Sequence, residues 1–218
     1  MSPRIWPLTR AFGARAGAPS IDRVELTIFE RRYYTDCMRC TSCADWCCSH
    51  GVDVDEQNVA RILARRAELE PFVGAPADAW FDGPPRPDAE FAGGAFRRTS
   101  VVDGACVFLD RSRRGCRLHA FAVERGLDYH ELKPLVSTLF PLTFDGGLLH
   151  PSGEVDDGTL VCLGSGPTLY RGARSELAHH FGEILVRELD ALEEIAVVEH
   201  AMPPPNAPGA PTVRFGRR

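Results

Sequence analysis

The sequence lacks long apolar runs and contains a single lysine, Lys133. No stretch approaches the roughly 18 uninterrupted apolar residues of a membrane-spanning helix, and the first residues contain no apolar core of signal-peptide length. We therefore expect no membrane association and a cytoplasmic location. The single lysine in a chain rich in arginine, alanine and glycine indicates GC-biased codon usage, which favours a bacterial origin.

The chain also lacks a basic block. Its 25 Lys and Arg residues against 30 Asp and Glu residues give a formal net charge of −5 and a pI near 5.8. The arginines are spread along the sequence, whereas nucleic-acid binding depends on clustered cations that face phosphates. We therefore expect no nucleic-acid partner, and the cysteines are not interpreted as a DNA-binding module.

Length and composition predict one domain. A chain of 218 residues with 44% apolar content can bury an ordinary core. The predicted fold class is α+β, a small single domain with helices packed around short strands and hairpins and a cysteine-rich metal-binding loop. We divide it into a flexible leader (1–22), a metal-binding domain (23–200) and a disordered Pro-rich tail (201–218).

Local patterns predict several elements of this domain. Asp53 or Asp55 is a suitable N-cap for a helix, and Pro71 is expected to limit the extension of that helix. The stretch 74–94 is dense in proline and glycine and predicts a long surface loop. Apolar residues at helical spacing over about 173–194 predict the longest helix of the chain.

Cysteines are the most informative feature of the sequence. Five of the eight lie within a dozen residues, and the short gaps let a turn direct two sulfurs to one ion, which zinc holds at about 2.3 Å. The candidate metal ligands are Cys37, Cys40, Cys43, Cys47, Cys48, Cys106, Cys116 and Cys162.

Three chemistries compete for these cysteines. Disulfides fit a reducing compartment poorly, and a bond between the adjacent Cys47 and Cys48 would be strained. The spacing from Cys37 to Cys47 matches the run that holds a [4Fe–4S] cluster in bacterial ferredoxins, although Cys48 stands where a proline normally follows and the run occurs once. We prefer a zinc or mononuclear iron site and keep the iron–sulfur cluster as the alternative.

Distal residues extend the candidate site. Cys106 and Cys116 flank a predicted hairpin, as paired ligands of structural zinc sites often do. His50 and His119 lie close enough in sequence to the cysteines to be alternative ligands. The pair His179-His180 is left out, because adjacent helical residues point about 100° apart.

A combination of motifs resembles a known family. The motifs are Cys43-Ala44-Asp45-Trp46-Cys47-Cys48, Cys106-Val107-Phe108-Leu109-Asp110, Cys116-Arg117-Leu118-His119, and Lys133-Pro134 followed by Leu139-Phe140-Pro141-Leu142. Together they are similar to the YkgJ-like cysteine-cluster family, bacterial proteins described as zinc- or iron-chelating. The resemblance covers roughly residues 30–165 in segments and implies that the chain chelates a metal ion.

The chain departs from that family at one position. Such proteins usually carry a cysteine shortly before the aromatic–proline dipeptide, where this chain has Ser137. Either Cys162, His119 or another cysteine of the first group replaces this ligand, or the site has three protein ligands and an open position. An open position would permit Lewis-acid or redox chemistry.

Three functions follow from these observations. The preferred one is a metal-binding protein of unknown cellular role in which zinc or iron organises the fold. The second is a metal-dependent enzyme distantly similar to flagellin lysine methylases, and the third is an iron–sulfur redox protein. No nucleotide-binding glycine loop supports another enzyme class, since Gly164-Ser165-Gly166 is followed by Pro167.

Overall fold

A computed structural model of the chain describes residues 3–34 and 45–201. The helices are α1 (Glu56–Ala64), α2 (Arg66–Val73), α3 (Arg117–Glu124), α4 (Leu135–Leu139), α5 (Gly153–Asp156), α6 (Leu169–Phe181) and α7 (Glu183–Ala201). The strands are β1 (Ile5–Gly13), β2 (Ser20–Glu25), β3 (Arg32–Tyr33), β4 (Asp53–Asp55), β5 (Phe81–Pro87), β6 (Ala95–Thr99), β7 (Val101–Val102), β8 (Ala105–Cys106), β9 (Leu142–Asp145), β10 (Leu148–Pro151) and β11 (Leu163–Thr168). This mixture confirms the predicted α+β class and the single small domain. Most of the predicted cysteine-rich loop lies outside the described residues.

The largest sheet has the strand order β1-β2-β10-β9. Strand β10 is parallel to β2 and antiparallel to β9, while β1 and β2 form an antiparallel pair. The prediction of a flexible leader over 1–22 is therefore wrong, because this segment supplies β1 and the start of β2. Leu8, Phe12 and Ile21 explain the difference, since their side chains are buried in the core. Beyond residue 201, the predicted tail lies outside the part of the chain that the structure describes.

A second sheet has the order β4-β6-β5. The predicted surface loop 74–94 is only partly correct, because β5 pairs antiparallel with β6. Proline and glycine are tolerated there since β5 is an edge strand. Trp80, just before β5, is fully buried and donates its indole N–H to the carbonyl of Ala75 at 3.0 Å. The smaller pairs are β11 with β3 and β7 with β8.

For the helix predicted after the first cysteines, the predicted start is confirmed and the predicted end is wrong. The Asp55 carboxylate caps α1 by accepting the backbone N–H of Asn58 at 2.7 Å. The chain bends at Arg65 and continues as α2, which contains Pro71 and ends at Gly74 in the left-handed conformation (φ +75°). Pro71 therefore does not limit the helical region.

The predicted helix over 173–194 is two helices. Gly182, at φ +88°, ends α6, and α7 begins at the next residue. The two helices pack on each other through Tyr170, whose hydroxyl lies 2.8 Å from Asp190 Oδ1. Arg174 forms an ion pair with the same carboxylate at 2.7 Å.

Two apolar clusters build the core. One joins the largest sheet to α6 and α7, with Val24, Leu149 and Leu177 fully buried. The other joins α1, α2 and α3 around Trp80 and Phe108. Within residues 3–34 and 45–201, no helix combines the length and the apolar composition that crossing a lipid bilayer requires.

The burial of β1 can be tested by truncating one side chain. Phe12→Ala should lower the free energy of unfolding by about 3–5 kcal/mol, the usual cost of removing a buried phenylalanine. The matched control is Ile5→Ala on the same strand, since Ile5 is 44% exposed and its loss should change stability by less than about 0.5 kcal/mol. Urea denaturation of both variants measures the difference. Equal, negligible effects would show that the N-terminal segment is flexible after all.

Candidate functional site

A cavity of about 470 Å³ brings together four of the predicted ligands. Cys47 and Cys48 reach it from a 3₁₀ turn, Cys106 from the end of β8, and Cys116 from the N-cap position of α3. The cavity lies between the two apolar clusters, because Phe108 and Leu118 of one and the partly buried Phe140, packed against the other, all line it. Residues separated by more than fifty positions thus share one wall.

The segment before Cys47 is held by an ion pair. Asp45 adopts the left-handed conformation (φ +57°), and its carbonyl accepts the N–H of Cys48 at 2.8 Å. The Asp45 carboxylate accepts from the Arg114 guanidinium at 3.2 Å, with side chains that are only 11% and 25% exposed. This pair ties the segment of Cys47 and Cys48 to the turn before Cys116.

Cys106 and Cys116 are placed by short antiparallel contacts. Val101 faces Cys106 in the β7–β8 hairpin, and an isolated bridge sets Leu109 opposite Cys116. The turn between these positions closes where Asp110 N–H donates to the carbonyl of Gly115 at 2.9 Å. The sequence prediction that Cys106 and Cys116 lie near a hairpin agrees with this geometry.

The Cys106 thiol is partly buried. Burial raises the pKa of Cys106, the hydrogen bond with Thr99 opposes this effect, and Cys116 adds to it because neighbouring thiolates repel. The thiol donates to the Thr99 hydroxyl at 3.3 Å. A cation between Cys106 and Cys116 would remove the repulsion, which is the electrostatic situation of a metal-thiolate site.

Among the described candidate cysteines, Cys162 alone is not part of this cavity lining. Cys37, Cys40 and Cys43 lie outside the described residues. Cys162 is buried in the apolar cluster of the largest sheet, and its carbonyl accepts the N–H of Tyr34 at 3.2 Å. The structure thus brings four predicted ligands together and places the fifth described one elsewhere.

Other residues of the lining are polar. Ser137, where the family pattern has a cysteine, faces the same cavity, and so do His119 and Lys133. Burial lowers the pKa of His119, and Lys133 lowers it further. Ser152 also lines the cavity, and within the described part of the chain its buried hydroxyl oxygen has no hydrogen-bond partner. His50 packs edge-on against Trp46 with ring centroids 5.7 Å apart.

A group of histidines beside the cavity was missed by the sequence analysis. Its rings form a stack in which His119 lies on Tyr129, Tyr129 on His130, and His130 on His179, at centroid distances of 4.3, 4.0 and 3.5 Å. Metal-ligating atoms lie within 4.8 Å of one another in two sets: Asp128, His130 and His179, and His130, Glu176 and His180.

A signal for this group was present in the sequence. Glu176 and His180 stand at i and i+4 of α6, the spacing that places two side chains on one face of a helix. The pattern considered above was the adjacent pair His179-His180, and the pair Glu176 and His180 was not predicted. The contribution of His130 could not be recognised, because it comes from a distant turn.

No protein-family model, no curated protein and no solved structure matches this chain. The similarity to the YkgJ-like family therefore stays a resemblance of motifs.

The ion pair between Asp45 and Arg114 can be tested without disturbing the backbone. Asp45→Asn should lower the free energy of unfolding by about 1.5–3 kcal/mol, the usual contribution of a hydrogen bond to a charged group. Asparagine is compatible with the left-handed conformation, so backbone strain does not enter. Urea denaturation provides the measurement.

The control is the same substitution at an exposed aspartate with a similar backbone. Asp103 has φ +50°, and Asp103→Asn should leave stability unchanged. If both variants are as stable as the parent chain, the ion pair does not hold the cysteine segment.

Proposed function

We propose that the chain is a metal-binding protein whose zinc or iron ion is held by the cysteines of this cavity. The observation that carries the proposal is that Cys47 and Cys48 line the same cavity as Cys106 and Cys116, although the two pairs are far apart in sequence. Cys37, Cys40 and Cys43 directly precede the described part of this wall and complete the proposed ligand group. The proposal does not require Cys162.

The donor atoms fit such an ion. Cys48, Cys106 and Cys116 are free thiols, and thiolates are the soft ligands that zinc, iron and iron–sulfur clusters take in proteins. A bound zinc ion would supply a structural cross-link or a Lewis acid, and a cluster would supply one-electron transfer. The resemblance to the YkgJ-like family supports the same reading.

A metal-dependent enzyme is the second candidate, and the size of the cavity favours it. Pockets for small molecules measure about 300–1,000 Å³, and this cavity of about 470 Å³ lies in that range. Lys133 and Ser152 provide polar groups in its wall. Such an enzyme would hold its substrate in the same space that the thiols face.

The metal is identified by elemental analysis of the full chain purified without oxygen and without added metal. Zinc with no visible absorption supports a structural or hydrolytic centre, and iron with matching sulfide and a brown colour supports the iron–sulfur alternative. Absence of both metals would contradict the proposal.

Substitution of one lining cysteine tests its position. Cys116→Ser should lower metal content and metal affinity, because serine is a poor ligand for zinc at neutral pH. Cys162→Ser is the matched control, since Cys162 lies in the apolar core away from the cavity lining and its loss should leave metal content unchanged. Equal metal content in Cys116→Ser and the parent chain would remove Cys116 from the ligand group.

The departure from the family pattern gives a test by gain of a ligand. Ser137→Cys adds a thiol to the cavity lining and should tighten metal binding, measured by competition with a chromogenic chelator. Ser175→Cys on the exposed side of α6 adds a thiol outside the cavity and should not. Identical affinities in the two variants would show that Ser137 does not adjoin the metal.

A further inference from the structure

The histidine group beside the cavity has features that the cysteine centre does not explain. It is formed by the turn Tyr129–Glu131 and by α6, and it contains no cysteine. His130 is its central residue, since it belongs to both sets of neighbouring ligand atoms.

Both ring nitrogens of His130 face carboxylates. Nδ1 lies 2.5 Å from Asp128 Oδ1, and Nε2 lies 2.8 Å from Glu176 Oε2. A neutral imidazole carries one N–H, so a neutral His130 that donates to Asp128 turns the lone pair of Nε2 towards the Glu176 carboxylate. Two acceptors at this distance repel each other, and the contact is stabilised either by a proton on Nε2 or, after the two atoms separate slightly, by a metal ion that binds both.

The arrangement around Asp128 is the one that supports metal-binding histidines. A ligating histidine commonly donates its other N–H to a carboxylate, which fixes the tautomer and the ring orientation. Asp128 occupies this position with respect to His130. The other nitrogen, Nε2, is thereby left free to bind a metal ion on the side of Glu176.

The tautomer of His180 is fixed in a complementary way. The Thr138 hydroxyl donates to the carbonyl of Leu135 at 2.8 Å, so its oxygen accepts from His180 Nε2 at 2.9 Å. The proton of a neutral His180 is then on Nε2, and Nδ1 carries the lone pair. Burial, followed by the neighbouring His179, lowers the pKa of His180 to about 3.

Glu176 is oriented by Tyr129. The Tyr129 hydroxyl donates to Glu176 Oε1 at 2.6 Å, which leaves Oε2 on the side of His130. The side chains of Glu176 and His130 are only 16% and 14% exposed. The carboxylate is therefore held in a fixed direction and largely removed from water.

We propose that His130 Nε2, Glu176 Oε2 and His180 Nδ1 form a second metal site, which takes a divalent transition metal ion such as zinc. Ligating atoms of these three residues lie within 4.8 Å of one another. Around a tetrahedral zinc ion, nitrogen and oxygen ligands about 2.0–2.2 Å from the metal lie roughly 3.3–3.6 Å apart, so His130 Nε2 and Glu176 Oε2, now 2.8 Å apart, need to separate by less than about 1 Å. Two histidines and a glutamate leave a coordination position open.

The other set of three fits one ion less well. The rings of His130 and His179 are stacked with an interplanar angle of 9°, and the nitrogen lone pairs lie in the ring planes. Two stacked rings therefore direct their lone pairs side by side and not to a common point. Asp128, the third member, is 49% exposed and already bonds His130 Nδ1.

The proposed second metal site adjoins the cavity that the cysteines line. Glu176 also lines the cavity of the cysteines, together with Gly172 of the preceding helical turn. An ion on Glu176 would adjoin the same space and would present its open position near it. The second site goes beyond the proposed cysteine centre and does not depend on it.

The test uses the full chain, stripped of metal under reducing conditions and titrated with Co²⁺ and then with Zn²⁺. Cobalt bound by cysteines gives thiolate charge-transfer absorption, whereas cobalt bound by nitrogen and oxygen gives only weaker visible bands. The parent chain should show the nitrogen–oxygen bands, and zinc should displace them. His180→Gln and Glu176→Gln should lose these bands and keep any thiolate absorption, so the two centres are read separately.

His179→Gln is the matched control, because it removes the adjacent histidine and leaves the three proposed ligands in place. It should keep the bands, as should Glu194→Gln on the exposed side of α7. Tyr129→Phe, which removes only the hydroxyl that orients Glu176, should weaken cobalt affinity by about 10- to 100-fold, as for other residues that support ligands. If circular dichroism shows that a ligand variant does not fold, Tyr129→Phe still tests the proposal.

Two results would overturn the proposal. One is a parent chain without nitrogen–oxygen bands at saturating cobalt. The other is loss of the bands in His179→Gln with full retention in His180→Gln and Glu176→Gln, which would assign the ion to the stacked set.

Discussion

The burial of one face of α6 is the constraint on which the arrangement of the site depends. Leu169, Ala173 and Leu177 recur every four residues and are buried against the largest sheet and α7. Leu169 and Leu177 each contribute on the order of 1.5–3 kcal/mol when they leave water, so the rotation of the helix about its axis is strongly fixed. Glu176 and His180 each lie one position before a buried residue, Leu177 and Phe181, so both are turned about 100° away from the buried face, and Glu176 lines the cavity.

The sequence predicted the parts of the molecule that depend on local patterns. The α+β class, the Asp55 cap and the placement of Cys106 and Cys116 near a hairpin follow from residue type and spacing over a few positions. The interpretation was wrong where tertiary burial decides, as for β1, whose two buried residues, Leu8 and Phe12, lie four positions apart and match no simple strand pattern. The histidine group depends on contacts between a turn and a helix more than forty residues apart, which no local pattern contains.

The two proposed centres offer different chemistry to metal ions. Thiolates are soft donors, and imidazole with carboxylate forms a harder set that also suits manganese or iron. Selection by affinity alone would favour the same metals at both places, so ligand type and geometry must distinguish them. Glu176 and the four cysteines of the cavity wall face one space, and a molecule held there would meet both kinds of donor.

The stacked rings of His119, Tyr129, His130 and His179 have a consequence for entropy. Each ring is in contact with its neighbour at centroid distances of 4.3 Å or less, so no ring can rotate unless an adjacent ring moves. The rotational freedom of these side chains is therefore given up when the chain folds and not when an ion arrives. A ligand group ordered in this way is preorganised, and it holds its shape between an empty and an occupied state.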